Sequence, residues 1–222
     1  MLRSLRKRVT AAPPNTSRIR LRDFARDAAA EGRDKSFRVL DAGAGRARYR
    51  HLFDHVSYET CDITDETGVQ DYLCDIADLP MPDGTYDLVF CSQTLEHVEN
   101  PQRVMSELAR VTKPGGQVWL SAPLIYEEHN QPHDYFRYTQ FAWRLLAEQA
   151  GLQVEALRPL EGYYGTLSYH LHTGSRLLPK RHRVVRWLLS YLSRRMARAE
   201  MQELLSLPGY TKNYRVQLRK PL

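Results

Sequence analysis

Apolar positions recur along this chain in two periods, and the change from one to the other marks its elements. Between residues 17 and 30, Ile19, Leu21, Phe24 and Ala28 fall at helical spacing, and Gly32 ends the pattern. Short apolar runs follow at residues 37–42 (FRVLDA), 56–61, 71–74 and 86–91 (YDLVFC), and each predicts a strand. A short helix is expected at 49–53. Asn100-Pro101 opens a helix to Val111, and Lys113-Pro114-Gly115-Gly116 reads as a turn into a strand at 117–122. An amphipathic helix at 138–150 is stopped by Gly151, and a strand spans 152–157. After Leu160 a Tyr-, Gly- and His-rich stretch (162–174) leads to a basic helical segment at 180–205. Pro208-Gly209 breaks it, and residues 210–219 predict a last strand.

Strands alternating with helices imply a parallel sheet with right-handed crossovers. Strands as continuously apolar as YDLVFC imply that both faces are covered. Ligands in such sheets lie beyond the carboxyl ends of the strands, so the informative residues should follow each strand. The breaker cluster TAAPPNTS (10–17) makes residues 1–16 a mobile basic arm, with one domain over 17–222 and a helical cover at about 163–207.

Composition is that of a globular protein, 42% hydrophobic and 26% charged in 222 residues. No apolar run reaches the roughly 20 residues of a membrane span. The basic start MLRSLRKRVT lacks the apolar core of a signal peptide. Cys61, Cys74 and Cys91 form no CxxC and read as reduced thiols, so a cytoplasmic location is expected. The net charge of +6 is divided unevenly. Residues 40–100 hold thirteen acids against three arginines, while 1–26 hold eight Lys/Arg and one acid, and 176–198 hold eight Lys/Arg and none. Such ends suit nucleic acid, anionic lipid, an acidic small molecule, or a solvated helix face.

The strand ends carry the chemistry. The first leads into Asp41-Ala42-Gly43-Ala44-Gly45, where glycines permit close approach to the backbone. The second ends at Asp62-Ile63, twenty-one residues after Asp41, where a carboxylate can accept from two ribose hydroxyls. The third ends at Asp75-Ile76, a carboxylate for an exocyclic amine beside an apolar cover for a purine. The fourth ends at Ser92-Gln93. A dinucleotide would set its pyrophosphate against Asp41, a like charge, and the third glycine of GxGxxG is replaced by Arg48. S-adenosylmethionine has no phosphate, and its ammonium matches Asp41.

Together these motifs, LDAGAG (40–45), CDI (61–63), CDIADLPMPDGTYDLVFCSQTLEHVENP (74–101) and KPGG (113–116), resemble the small-molecule class I S-adenosylmethionine-dependent methyltransferases over about residues 37–160. The resemblance implies a Rossmann-like α/β fold, with a seven-stranded, mostly parallel sheet, helices on both faces and an antiparallel last strand. It implies that Asp41, Gly43 and Gly45 hold the methionyl part of S-adenosylmethionine, Asp62 and Ile63 the ribose end, and Asp75 and Ile76 the adenine. Ser92 and Gln93 would line the same pocket, and S-adenosylhomocysteine would be the product. The family's third small residue in the glycine turn is Ala47 here. Arg46 and Arg48 either point outward or reach toward an acidic substrate.

The loop after the fifth strand (122–139) concentrates two histidines, three acids and three tyrosines, and its HDYFRYT ending (133–139) recurs in bacterial methyltransferases that it resembles. His133 is the first candidate for general base, with Asp134 and Tyr135 beside it, and His97 is the second. Alternatively His133 and Asp134 form a structural bond that caps the next helix. Pro132 keeps His129 and His133 from sharing a helical face, so no metal is expected. The expected activity is methyl transfer to oxygen or nitrogen of a small-molecule, glycan or lipid-linked acceptor. A nucleic-acid acceptor (tRNA or rRNA) and a non-catalytic cofactor-binding module are the alternatives. The fourth strand lacks the (N/D)PP(Y/F) turn that holds a flipped base, which counts against nucleic acid. The 183–199 segment either packs on its own domain or makes peripheral contact with an anionic membrane. Oligomeric state is left open.

Overall fold

The computed structural model describes residues 12–222. Asn15 opens the first helix, α1 (Thr16–Ala29), by accepting from the Arg18 N–H at 3.0 Å. Residues 15 and 16, assigned by the sequence to the arm, thus belong to the folded unit. The first eleven residues of that arm lie outside the described residues.

Strands β1 (Arg38–Ala42), β2 (Ser57–Asp62), β3 (Tyr72–Leu73), β4 (Tyr86–Ser92), β5 (Thr112–Pro123), β6 (Gln153–Pro159) and β7 (Asn213–Arg219) form one sheet in the order β3-β2-β1-β4-β5-β7-β6. β7 inserts between β5 and β6 and runs antiparallel to both, while β1 to β5 pair in parallel. The expected antiparallel last strand is therefore present, three residues shorter at its start. β5 begins earlier than the sequence suggests. Thr112 already pairs with Tyr86, and the Lys113–Gly116 turn is an irregularity inside the strand.

Alternate side chains of β1 and β4 feed two cores. Leu40 and Val89 face one side, packed with Met105 and Leu108 of α2 (Pro101–Val111) and Trp143 of α3 (Gln140–Gln149). Val39 and Phe90 face the other, packed with Phe24 and Ala28 of α1. Asn100 caps α2 at 3.0 Å with proline in its first turn, and Thr139 caps α3 at 3.2 Å.

The stretch read as a Tyr/Gly/His-rich lead-in is a helix, α4 (Tyr163–Leu177), and the basic segment is α5 (Arg183–Gln202). They lie antiparallel. Ser168 and Ser193 each donate a hydroxyl to the other's carbonyl, at 2.8 and 2.9 Å. The buried Glu200 carboxylate of α5 accepts from the N–H groups of Gly162 and Gly165 at the start of α4. The apolar stripe of α5 at helical spacing, Val185, Leu188, Leu189, Leu192 and Met196, is only partly covered. Val185 and Leu188 are exposed, and the buried positions are Ser193, Arg194, Ala197 and Glu200. None of the described helices is long and apolar enough to cross a membrane.

Candidate active site

The order in which strands join the sheet reverses between the parallel neighbours β1 and β4, which opens a crevice at their carboxyl ends. The glycine turn lies there. Gly43 has φ of +75°, and a Cβ on it would overlap the Thr94 side chain, whose hydroxyl donates to the Gly43 carbonyl at 3.2 Å. Gly45 faces open space. Ala47, in the family's third small position, has φ of +45°, the left-handed region that glycine adopts at least cost.

Asp41 and Asp62 flank this turn. Asp41 is buried and accepts from the Tyr58 hydroxyl, and burial pushes its pKa up to about 7. Asp62 accepts from the Gly45 N–H at 2.9 Å and from the Thr64 N–H at 3.1 Å, which ties the end of β2 to the turn. A carboxylate has about four acceptor positions, so capacity remains. Asp75 is exposed and accepts from the Ala77 N–H at 2.8 Å. Ile76 is buried in the core, whereas Ile63 is 69% exposed at the end of β2. The purine cover expected from Ile76 is therefore not available at the surface, and the apolar face beside the carboxylates is that of Ile63.

At the end of β4, the Ser92 hydroxyl pairs with that of Ser121 at 2.8 Å, and Gln93 sits at φ +59° with its N–H on the Ser121 carbonyl. Beyond Gln93 lies a cleft of about 290 Å³ that Arg18, Arg48, Tyr126 and Lys212 help to line, together with His97, His129 and Asn130. The two arginines after the turn separate. Arg46 faces outward toward Glu66, and Arg48 lines the cleft. Lys212 stands 3.9 Å from the Tyr169 ring centre and 4.7 Å from that of Tyr126. Burial lowers its pKa.

The HDYFRYT segment is placed by its backbone. The N–H groups of Tyr135 and Phe136 donate to the Glu96 carbonyl. Asp134 is held by both Arg137 NH groups at 2.7 Å, and it accepts from the His129 backbone N–H at 2.7 Å. Arg137 keeps its carboxyl well below the usual range, so Asp134 is a fixed anion. His133 is exposed. Its ring meets the Tyr135 hydroxyl at 2.9 Å, and only its carbonyl turns inward, accepting from His97 Nδ1 at 2.6 Å. Of the four residues expected at the chemistry, His97 is the one that lines the cleft. Burial lowers its pKa, so the ring is neutral at pH 7.

Sequence reasoning passed over Glu96 and set His129 aside. Glu96 is fully buried, neither carboxylate oxygen has a hydrogen-bond partner among the described residues, and burial lifts its pKa to about 8. Glu96, His97 and His129 bring one donor atom each within 4.8 Å of one another. The LEH triplet on a 3₁₀ turn after β4 was the available signal.

Known proteins fit this geometry. A family model described as a methyltransferase domain matches residues 40–120. An uncharacterized protein of Methanocaldococcus jannaschii is 27% identical over 116 residues, 47% of this chain and 57% of that protein. A ubiquinone biosynthesis O-methyltransferase of Pectobacterium atrosepticum is 37% identical over 98 residues, 44% of this chain and 37% of that protein. The chain thus spans about half or less of the length of these curated relatives. Among solved structures, geranyl diphosphate methyltransferase in complex with SAM superposes with a TM-score of 0.60 at 15% identity, covering 90% of this chain and 84% of that one. Residues 40–120 thus resemble a methyltransferase domain in sequence, and the described residues share the fold of solved methyltransferase structures.

Proposed function

We propose that the chain transfers a methyl group from S-adenosylmethionine to an oxygen or nitrogen of a small anionic acceptor, glycan-type or lipid-linked. The observation that carries this reading is the row of carboxylates at the ends of three adjacent strands. Asp41 and Asp62 flank a turn left open at Gly45, Asp75 follows the next strand, and a separate cleft begins at Gln93. Asp41 would face the methionyl ammonium, Asp62 the ribose hydroxyls, and Asp75 with Ile63 the adenine edge and face. Ser92 and Gln93 would line the passage to the acceptor. S-adenosylmethionine supplies an electrophilic methyl on a sulfonium, and the protein's part is to align a nucleophile behind it.

Arg18, Arg48 and Lys212 make the cleft cationic, which favours a carboxylate or phosphate on the acceptor. The α4–α5 pair would cover it, since the Tyr169 hydroxyl donates to Glu127 of the loop after β5. On α5, Val184, Trp187, Leu188 and Tyr191 are exposed beside the basic run of residues 176–198. That face suits an anionic bilayer, where a lipid-linked acceptor resides. Flotation with phosphatidylglycerol vesicles that Trp187→Glu abolishes supports this contact, and equal flotation of both proteins refutes it.

The test of function is label transfer from methyl-tritiated S-adenosylmethionine to a panel of hydroxylated aromatic acids, sugar phosphates, lipid extracts and tRNA. Label in an anionic small molecule or lipid is the expected result. Label in tRNA, with retention that falls steeply with salt, would favour the nucleic-acid alternative. Cofactor binding without any labelled product would favour a non-catalytic module.

A further inference from the structure

We propose that Glu96, His97 and His129 bind a divalent transition-metal ion whose open coordination positions face the acceptor cleft. A buried carboxylate with both oxygens unpaired, as in Glu96, is costly unless a cation meets it. What faces it are two imidazole nitrogens, Nε2 of His97 at 3.9 Å and Nε2 of His129 at 4.0 Å, both on the same oxygen, Oε1.

The outer hydrogen bonds decide what those nitrogens offer. His97 Nδ1 lies 2.6 Å from the His133 carbonyl, and His129 Nδ1 lies 3.3 Å from the Glu127 carbonyl and 3.2 Å from Asp134 Oδ2. Carbonyls and carboxylates only accept, so both Nδ1 atoms carry the proton. That leaves the Nε2 atoms as the donors nearest Glu96, and the Asn130 amide nitrogen, 3.5 Å from His97 Nε2, would yield to the ion. An imidazole backed by a carbonyl or carboxylate is the outer-shell arrangement of metal-binding histidines. Asp134, fixed by Arg137, gives that support to His129, and its chain neighbours Tyr135 and Phe136 fasten the loop to the Glu96 carbonyl.

Three donors at about 2.0–2.2 Å from a tetrahedral ion stand roughly 3.4 Å apart, so the two separations from Glu96 need to contract by about half an ångström and that between the two histidine nitrogens by up to about 1.4 Å. Side-chain rotation supplies that. Two imidazoles and one carboxylate select Zn²⁺, Mn²⁺ or Fe²⁺ over Mg²⁺ or Ca²⁺, which prefer all-oxygen shells. Three protein ligands leave at least one position open. His97 and His129 both line the cleft, so that position points where the acceptor would lie. That a ligand oxygen of the acceptor completes the shell rests on the methyltransferase reading. The metal site itself does not. The His129-x-x-x-His133 pair is not the site: the structure keeps His129, recruits His97 from another loop, and uses His133 through its carbonyl.

The test is calorimetric titration of Zn²⁺ into the full, tag-free, chelator-stripped chain, repeated with Mg²⁺ and with His129→Ala and Glu96→Gln. The expected result is one Zn²⁺ per chain, at least tenfold weaker binding in each variant, and no Mg²⁺ heat. Glu96→Gln replaces an unpaired buried carboxylate by a neutral isostere, so its metal-free melting temperature should equal or exceed that of the parent. Loss of Zn²⁺ binding there reports ligation and not unfolding. Absence of stoichiometric Zn²⁺ binding, or equal affinity in the variants, overturns the proposal. S-adenosylhomocysteine binding, measured on the same samples, reports the cofactor site separately.

Discussion

Asp41 ties the cofactor reading to a measurable proton. Burial holds its pKa at about 7 in the empty protein, so at neutral pH it is about half protonated. An ammonium placed against it favours the charged form. S-adenosylhomocysteine carries the same ammonium, so its binding should expel the proton. For a pKa of about 7, the release is about 0.9 proton at pH 6, about 0.5 at pH 7 and about 0.1 at pH 8. Affinity follows, falling roughly tenfold, or about 1.4 kcal/mol, from pH 8 to pH 6. Calorimetry in buffers of differing ionisation enthalpy reads both quantities. Asp41→Asn should bind with a loss of about 1.5–3 kcal/mol at pH 8 and show a flat proton count, and the difference between the two proteins isolates Asp41 from Glu96 and the histidines. The same group has a defined effect on the empty protein. A carboxyl whose folded pKa is raised stabilises most below its unfolded value near 4, and that contribution is lost as pH rises through about 7. Proton release that does not change between pH 6 and pH 8 in the parent would refute the placement of the ammonium at Asp41.

Three further outcomes follow from the packing around the site. Gly43→Ala must carry a Cβ at positive φ against Thr94, and should lose about 2–3 kcal/mol in urea denaturation along with cofactor affinity. Glu200→Ala removes the acceptor of two buried N–H groups that join α4 to α5, and should lower stability by about 2–4 kcal/mol, read as a fall in melting temperature. His97→Ala should lower turnover by about a hundredfold or more, while His133→Ala, which leaves the inward carbonyl in place, should stay within about threefold. A large loss in His133→Ala alone would return the chemistry to the histidine that the sequence favoured.

The alternating core was legible because β1 and β4 are short apolar runs, because an aspartate or serine stands at the end of β1, β2 and β4, and because caps such as Asn100-Pro101 lie next to the helices they start. The carboxylate row was legible for the same reason, since strand ends fix its place. What escaped were features made by packing. α4 holds glycines at 165 and 174, and its start is completed by Glu200, thirty-five residues beyond Gly165. Ile76 and Ile63 look alike in sequence, yet the turn at Asp75 sends one into the core and leaves the other exposed. Glu96 read as part of a family motif. Only the return of the 129–136 loop onto its carbonyl places His129 opposite its side chain.

In the proposed reading the carboxylates at the ends of β1 and β2 hold the methionyl and ribose parts of S-adenosylmethionine. Titration of S-adenosylhomocysteine into the parent and into Asp62→Ala tests it most directly, because Asp62 would meet the ribose and also holds the Gly45 N–H. One-to-one binding that weakens by about 1.5–3 kcal/mol in Asp62→Ala, with no response to NADH, is the predicted result. NADH binding with no response to S-adenosylhomocysteine would contradict it.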